Sequence, residues 1–457
     1  MKAIAYLLAL TAACPAAAQT QIGGQIRDDE RSLAVPKWEH TSLGRAGECY
    51  VATDDQGHVY VTGHILNGQS GVGVFYASSD WGKTFPVSRS FTSACCDFQV
   101  EVGPDGRVYV VYMTSAIDGL VCAVSDNYGS SFYQVKKVLT GPYDREWFGF
   151  RGNNIDIVYS DGYIGGPVSK GVIFSTSADG GANFSGYVRV DDEVVGSEAV
   201  DPSIACNDNI TVAGWNTSTD RNTVRQFKVA RSADGGQTFT NHTVLATYDS
   251  AIGDTQERWL AQIPIVSAPN DTFIAVYQNY ANVMVDGQPR KALLLYYRRS
   301  RDGGLTWEPA RTVAPLSDIV SAIRQYEATR WTNNSTIFPY YIQHQPWACV
   351  DPHGDVHVVW FDNRFGQNPG VLNSKWSVYH TQAHYSSDKW EKPDAVTPEP
   401  FLCVRPNLDF IGVGADSRYV YCAWIRRINQ TSTQWSFYGD MFLSRRARNS
   451  AREVPVP

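Results

Sequence analysis

Short runs of alternating apolar and polar residues recur along the chain, while helical periodicity is almost absent. Most runs come in pairs that are joined by a turn containing Asp, Gly or Asn. Such a pair predicts a β-hairpin. Seven hairpins are found, at residues 49–64, 98–113, 147–160, 202–215, 259–277, 347–360 and 406–424. A third strand follows each pair, and residues 319–329 are the one segment that predicts a helix.

A second repeat, Ser-x-Asp-x-Gly-x-Thr-Phe/Trp, follows the third strand of most units. Near-complete copies lie at residues 78–85, 125–132, 177–184, 232–239 and 300–307, and a clipped copy lies at 386–390. Units of four short strands that repeat about every 50 residues are typical of the blades of a β-propeller.

The second repeat resembles the Asp-box of the sialidase-like propellers. In that family the Asp-box is the turn between the third and fourth strands of a blade, on the outer rim. The resemblance and the repeats together predict an all-β fold, a single seven-bladed β-propeller over residues 19–457, with six blades as the alternative. Residues 22–45 are expected to supply a closing strand to the last blade. An insertion around residues 279–345 has the length of a binding loop.

The first 18 residues predict a secretory signal peptide. Lys2 gives a positive start, residues 3–13 are apolar, and residues 16–18 are small enough for cleavage. The apolar stretch is too short to span a bilayer, so we expect a secreted protein with no membrane span. The net charge is −7 and there is no basic block, so nucleic acid is not an expected partner.

Eight cysteines remain after the signal peptide, and an even number in an exported chain predicts disulfides. They are Cys49, Cys95, Cys96, Cys122, Cys206, Cys349, Cys403 and Cys422. Their pairing cannot be read from spacing, and the adjacent Cys95 and Cys96 are expected to have different partners. Repeated Asn-x-Ser/Thr sequons favour a eukaryotic, fungal source. Glycosylation is predicted at Asn209, Asn216, Asn241, Asn270, Asn334 and Asn429.

Candidate functional residues lie where a propeller binds ligands, at the mouth of its central channel. Arg145, Arg258 and Arg405 precede innermost strands and would clamp an anionic or carbonyl-bearing ligand, and His64 and His344 are candidates for proton transfer. The predicted substrate-binding residues are Trp147, Trp259, Trp347, Trp360, Asp362 and Tyr341. The competing interpretation is structural, with each Trp filling a gap between blades and each Arg paired with a local carboxylate. No metal or other cofactor is expected.

Four kinds of function remain open. A sialidase binds the substrate carboxylate with three arginines, one of which belongs to an Arg-Ile-Pro motif in the first blade. This chain reads Val35-Pro36-Lys37 there, although Arg145, Arg258 and Arg405 could still form a triad. A uronate polysaccharide lyase, or another glycosidase on a propeller scaffold, is a second possibility. A lyase would need a positive group, a base and an acid, which Arg145, Arg258, His64, His344 and Tyr341 could supply. A non-catalytic glycan-binding propeller is a further alternative.

The leading expectation is a cofactor-independent cyclase. The chain as a whole is similar to the secreted, glycosylated hetero-Diels–Alderases of fungal tropolone–sesquiterpene biosynthesis, and it lacks hydrolase motifs. That resemblance implies a tropolone quinone methide joined to a humulene-type alkene to form a meroterpenoid. An aromatic pocket would orient the two apolar partners, and a polar donor would activate the heterodiene. The expected ligand is therefore an apolar small molecule or a glycan, and the oligomeric state is not predicted.

Overall fold

The computed structural model describes residues 37–67, 70–162, 171–194, 198–220, 223–250, 260–329, 340–366, 374–403, 410–426 and 439–448. Nearly all regular structure in these ranges is β-strand. The strands, in chain order, are β1 (Glu39–Thr53), β2 (Val59–Asn67), β3 (Ser70–Ser78), β4 (Val87–Thr92), β5 (Gln99–Val102), β6 (Val108–Met113), β7 (Gly119–Ser125), β8 (Gln134–Thr140), β9 (Tyr143–Arg151), β10 (Asn154–Asp161), β11 (Val172–Ser177), β12 (Ser185–Arg189), β13 (Glu198–Cys206), β14 (Thr211–Ser218), β15 (Val224–Ser232), β16 (Thr240–Thr247), β17 (Ile265–Ala268), β18 (Thr272–Val285), β19 (Gln288–Ser300), β20 (Arg311–Thr312), β21 (Tyr341–Val350), β22 (Asp355–Asp362), β23 (Ser374–His384), β24 (Asp394–Ala395), β25 (Phe401–Cys403), β26 (Gly412–Ala415), β27 (Tyr419–Arg426) and β28 (Gly439–Ala447).

Consecutive strands pair antiparallel in groups of four. The groups β5–β8, β9–β12 and β13–β16 are separate four-stranded sheets, and β1–β4, β17–β20 and β21–β24 repeat the same order within larger sheets. The predicted hairpins form the first two strands of these groups. Their alternating pattern places apolar side chains on both faces of each sheet, because every sheet packs between two neighbours.

The long strand β1 belongs to two groups at once. Its first half pairs with β28, from Glu39 opposite Arg445 to Ala46 opposite Gly439, and its second half pairs with β2. The strands β26, β27 and β28 thereby gain a fourth strand from the other end of the chain. This confirms the expected closing strand for residues 39–45; residues 22–36 lie outside the described part of the chain.

The innermost strands pack side by side around one axis. Contacts run in the order β1, β5, β9, β13, β17, β21, β26 and back to β1. A closed ring of four-stranded sheets is the architecture of a β-propeller. The start of every innermost strand therefore lies at the same end of the axis, which brings residues from distant parts of the sequence together.

The Asp-box turns connect each group to the one before it. In the first copy, Asp80 accepts hydrogen bonds from the amides of Lys83 and Thr84, at 3.0 and 2.9 Å. The glycine of the turn adopts a positive φ and lies against the preceding sheet: a Cβ on Gly236 would lie 1.9 Å from Phe174. The repeat is thus structural, as its resemblance implies.

The insertion contains the one α-helix of several turns in the described ranges, α1 (Leu316–Thr329), which confirms the helix predicted at 319–329. It packs against the long hairpin of β18 and β19 through Ile319, Ala322 and Ile323. No helix in the described ranges is long and apolar enough to cross a membrane.

The cysteine predictions are largely wrong. Cys95 and Cys96 are bonded to each other rather than to different partners. The five other cysteines whose side chains are described carry free thiols; they are Cys49, Cys122, Cys206, Cys349 and Cys422. These thiols are wholly or largely buried in apolar surroundings, where cysteine packs as a small hydrophobic residue, and burial raises the pKa of Cys49 and Cys122 to about 12. The side chain of Cys403 lies outside the description.

Candidate active site

Five innermost strands carry an unusual residue, inside the strand or just before it, and these residues form a ring around the axis. Each is a polar, non-glycine residue with a left-handed backbone: Glu48 (φ 50°), Asp97 (54°), Arg145 (54°), Asp201 (52°) and Gln345 (50°). Their exposed fractions range from 2% to 7%. For four of them the sheet register shifts at the same place, as in a β-bulge. Such backbone strain at equivalent positions is typical of functional sites. We call these five residues the axial ring.

Hydrogen bonds and one ion pair link the axial ring from group to group. The amide of Asp97 donates to Glu48 Oε2 at 3.0 Å, and the amide of Arg145 donates to Asp97 Oδ2 at 3.1 Å. Arg145 Nε then lies 3.3 Å from Asp201 Oδ1. Asn216 donates to the other oxygen of Asp201 at 3.2 Å. Four consecutive innermost strands therefore contribute to one continuous polar network.

Glu48 is held in its ionised form. Burial alone would raise its pKa, but the charge and hydrogen bond of His64, the Asp97 amide and the Arg145 charge together bring the pKa of Glu48 below its ordinary value. The Nδ1 atom of His64 lies 3.0 Å from Glu48 Oε2, and the imidazole is fully buried. Glu48 is thus a buried carboxylate whose charge the network stabilises.

The pKa of Glu146 is shifted in the opposite direction from that of Glu48. Its side chain is 0% exposed, and neither carboxyl oxygen has a hydrogen-bond partner among the described residues. Burial raises the pKa of Glu146 well above its ordinary value, and the charges of Asp97, Asp144 and Glu48 raise it further. Burial and the neighbouring charges therefore favour the neutral, protonated form of Glu146. The pKa values of two glutamates of one site are shifted in opposite directions, which is how acid and base roles are divided.

Aromatic side chains fill the axis beside the axial ring. Tyr50 contacts Trp147, Trp347 and Phe410, with ring centroids 5.2–5.7 Å apart. Trp147 and Trp347 are 4.7 Å apart, and the Arg145 guanidinium lies 5.5 Å from the Phe410 ring. The space left between Arg145, these tryptophans and residues 261–264 is only 10 Å³. We call Tyr50, Trp147, Trp347 and Phe410 the aromatic plug.

Several buried polar atoms around the axis lack a hydrogen-bond partner among the described residues. They are Tyr50 Oη, His64 Nε2, both Glu146 carboxyl oxygens, Ser203 Oγ and Gln345 Oε1. Unpaired polar atoms in a folded interior are costly, at about 1–3 kcal/mol each, and are uncommon. Together with the axial ring, these atoms make this part of the axis polar.

The predicted residues are only partly brought together. Arg145, Trp147 and Trp347 lie in the axial ring or the aromatic plug, and His64 contacts Glu48. His344 is fully buried beside Gln278, whose Nε2 lies 3.3 Å from His344 Nδ1. Arg258, Trp259 and Arg405 lie outside the described residues.

Tyr341, Trp360 and Asp362 belong to a separate network rather than to the axial site. The Tyr341 hydroxyl donates to Asp362 at 2.6 Å, and the Trp360 indole donates to it at 3.1 Å. Arg364 also pairs with Asp362 and connects it to Asp318 of α1. These buried contacts fix the insertion to β22, so the competing structural interpretation applies to the three residues.

The sequons divide by exposure. Asn209, Asn241 and Asn270 are exposed, and their glycosylation stays a prediction. The prediction at Asn216 is wrong, because its side chain is 0% exposed and donates to Asp201 and to the Leu260 carbonyl. Asn334 and Asn429 lie outside the described residues.

Glu48, Asp97, Asp201 and Glu146 are the residues that sequence reasoning missed as site members. A signal was present, since a polar residue directly precedes Cys49, Phe98 and Pro202 where three hairpins begin. Residue type does not reveal the left-handed backbone that Glu48, Asp97 and Asp201 adopt.

No family model matches this chain, and no curated protein matches it. Among solved structures, a protein of unknown function from Dyadobacter fermentans DSM 18053 is 10% identical, with a TM-score of 0.44 over 90% of this chain and 99% of that chain. The polysaccharide lyase Uly1 is 9% identical, with a TM-score of 0.47 over 88% and 90% of the two chains. The α-L-arabinofuranosidase Arb93A from Fusarium graminearum is 10% identical, with a TM-score of 0.43 over 76% and 91%. Likenesses at this level do not indicate an activity for this chain.

Proposed function

We propose that this protein is a carbohydrate-active enzyme, a glycoside hydrolase that cleaves neutral glycans at the axial site of a seven-bladed propeller. The observation that carries the proposal is a pair of buried glutamates whose pKa values are shifted in opposite directions. The hydrogen-bonded cluster around Glu48 lowers its pKa, whereas burial and the charges of Asp97, Asp144 and Glu48 raise the pKa of Glu146. Glycoside hydrolysis commonly uses two carboxyl groups, one protonated and one ionised.

The blade number is part of this proposal. The closed order of innermost strands, from β1 through β26 and back, supports seven blades. The division of β1 between the first and last groups supports it as well, because it supplies the fourth strand that β26, β27 and β28 lack.

The charge of the site favours a hydrolase over a lyase. Its described members include the carboxyl groups of Glu48, Asp97 and Asp201 against the single guanidinium of Arg145, which is already paired with Asp201. Hydrolysis passes through a transition state with positive charge on the sugar ring, which such carboxylates stabilise. A lyase instead builds negative charge next to a uronate carboxylate, which they would oppose.

The same geometry favours carbohydrate chemistry over the cyclase expectation. A cycloaddition between two apolar molecules needs a mostly apolar pocket. The axial ring instead brings four buried charged side chains together, those of Glu48, Asp97, Arg145 and Asp201. The unpaired atoms there are hydroxyl, carboxyl, amide and imidazole atoms, which match the hydroxyl groups of a sugar.

Each glutamate then has a distinct role. Glu146 would protonate the leaving oxygen of the glycosidic bond. Glu48, oriented by His64 and the Asp97 amide, would act on the opposite side as the base that activates water or as the nucleophile. Trp147 and Trp347 would offer ring faces and edges to the sugar.

The test distinguishes the acid from the base by comparing substrates whose leaving groups do or do not need a proton. Wild-type protein is incubated with neutral oligosaccharides, alkyl glycosides and nitrophenyl glycosides, and released sugar is measured. Glu146→Gln should lower kcat on alkyl glycosides by about 10²–10⁴-fold but lower it far less on nitrophenyl glycosides, whose leaving group needs no proton. Glu48→Gln should lower both equally. Glu101→Gln, a glutamate elsewhere along the axis, is the matched control and should leave both rates unchanged.

Parallel incubations test the other functions. Sialosides and uronate oligosaccharides report sialidase and lyase activity, the latter through the ultraviolet absorbance of an unsaturated product. Humulenol with a tropolone quinone-methide precursor reports cyclase activity. Turnover in one of these incubations with none on neutral glycosides would refute the proposal, as would equal effects of Glu146→Gln on both leaving groups.

A further inference from the structure

The vicinal disulfide lies next to the axial ring. Cys95 and Cys96 are bonded in the segment that leads into β5, and the next residue is Asp97. Both cysteines are half-buried against the cluster that contains Met113 and Phe148. The axial site described above uses Asp97 but assigns no role to the disulfide.

One side of this segment is fixed to β6 by the backbone. The Ser115 amide donates to the Ser93 carbonyl at 2.8 Å, the Cys95 amide donates to the Met113 carbonyl at 2.9 Å, and the Met113 amide donates to the Cys96 carbonyl at 3.3 Å. The segment therefore has a defined position up to Cys96.

The backbone turns sharply on both sides of the two cysteines, and after Cys96 it enters the axial site. Ser93 and Asp97, on either side of the cysteines, have φ values of 65° and 54°, which non-glycine residues rarely adopt. From this position the Asp97 amide donates to Glu48 and the Asp97 carboxylate accepts from the Arg145 amide. The direction of one peptide unit therefore decides whether Glu48 keeps its amide donor.

We propose that the Cys95–Cys96 disulfide is a positioning element that holds the Asp97 amide on Glu48. A bond between adjacent cysteines closes a small ring that contains their shared peptide unit. It therefore limits rotation about Cys95 ψ and Cys96 φ, and so fixes the position from which the next peptide unit carries the Asp97 amide to Glu48. The catalytic meaning of this element rests on the proposed function, but its effect on Glu48 does not.

The experiment compares oxidised protein, protein reduced with a water-soluble phosphine, and the double variant Cys95→Ser/Cys96→Ser. The first readout is the titration of the Glu48 carboxyl by NMR with isotope-labelled glutamate, assigned with Glu48→Gln. Loss of one amide donor should move this titration to higher pH by about one unit. The second readout is the pH profile of kcat/KM on a neutral glycoside, whose acid limb should move by the same amount, with kcat/KM about tenfold lower. The melting temperature reports whether the fold persists.

Two controls make the outcome specific. Reductant should have no further effect on the double variant, and Cys122→Ser, at a buried free thiol, should leave the Glu48 titration unchanged. An unchanged titration after complete reduction, verified by thiol counting, would overturn the proposal even if the double variant failed to fold. A shifted titration in a protein that cleaves no glycoside would leave the positioning role standing and refute the proposed function instead.

Discussion

Glu101 is a glutamate in the axial cavity on the other side of the aromatic plug. It lines a space of 180 Å³ with residues of β1, β21 and β26, and it accepts a hydrogen bond from Gln99 Nε2 at 3.1 Å. Burial raises the pKa of Glu101 to about 7, although the Gln99 hydrogen bond opposes the change. The folded protein therefore holds a proton that the unfolded chain releases at lower pH.

The sign and size of the effect of pH on stability follow from the difference between the folded and unfolded pKa of Glu101. Because the folded pKa is about 7 and the ordinary value is 4.5, folding is favoured most below pH 4.5, and this contribution is lost as pH rises through 7. At about 1.4 kcal/mol per pKa unit, the full difference amounts to about 3.5 kcal/mol. Glu101 is partly exposed to the cavity, so water screens its charge and we expect about 2 kcal/mol.

The assay is denaturant unfolding of wild type and Glu101→Gln between pH 4 and pH 8. The glutamine keeps the acceptor for Gln99 but cannot ionise. The two proteins should have similar stability near pH 4, and the variant should be more stable by about 2 kcal/mol at pH 8. Comparing differences between the two proteins removes the contribution of all other groups.

The reasoning fails if the stability difference does not change with pH, or if it changes in the other direction. The first result would mean that the cavity solvates the Glu101 charge as well as bulk water does, and the second that it stabilises the charge better than water.

Two further predictions concern the Asp-box and the axial pair. Gly236→Ala should destabilise the fold by about 2–4 kcal/mol in thermal unfolding, because its Cβ would overlap Phe174 at a positive φ. Gly106→Ala, at a positive φ with open space around it, should lose only about 1 kcal/mol; equal losses would contradict the packing argument. The rate kcat/KM should be bell-shaped in pH, falling on the acid side as Glu48 gains a proton and on the alkaline side as Glu146 loses one. A profile that keeps its alkaline limb in Glu146→Gln would show that another group is the acid.

The fold was predictable because its signals are local. The Asp-box needs Ser, Asp and Gly at fixed offsets, since the Asp80 carboxylate accepts amides within its own turn. The hairpins need only alternation and a turn residue. Both patterns survive in the sequence regardless of what the distant parts of the chain do.

The site was less predictable because it depends on distant contacts. Arg145 and Trp147 were found through their recurrence before innermost strands. The protonation of Glu146 depends on burial and on Asp97, which is 49 positions away in the sequence. Trp360 shares its residue type with Trp347 but faces a different part of the fold, and only the register of β22 shows this.

The sharing of β1 between the two ends of the chain has a consequence for biosynthesis. Its first half finds its partner only when β28 has left the ribosome, about four hundred residues later. Until then, the first strands emerge with an unpaired edge, which invites association between nascent chains. Folding of this protein should therefore be slow, and it should suffer when many nascent chains lie close together on one polysome. Removing β28 should impair folding more than deleting the same number of residues from a surface loop.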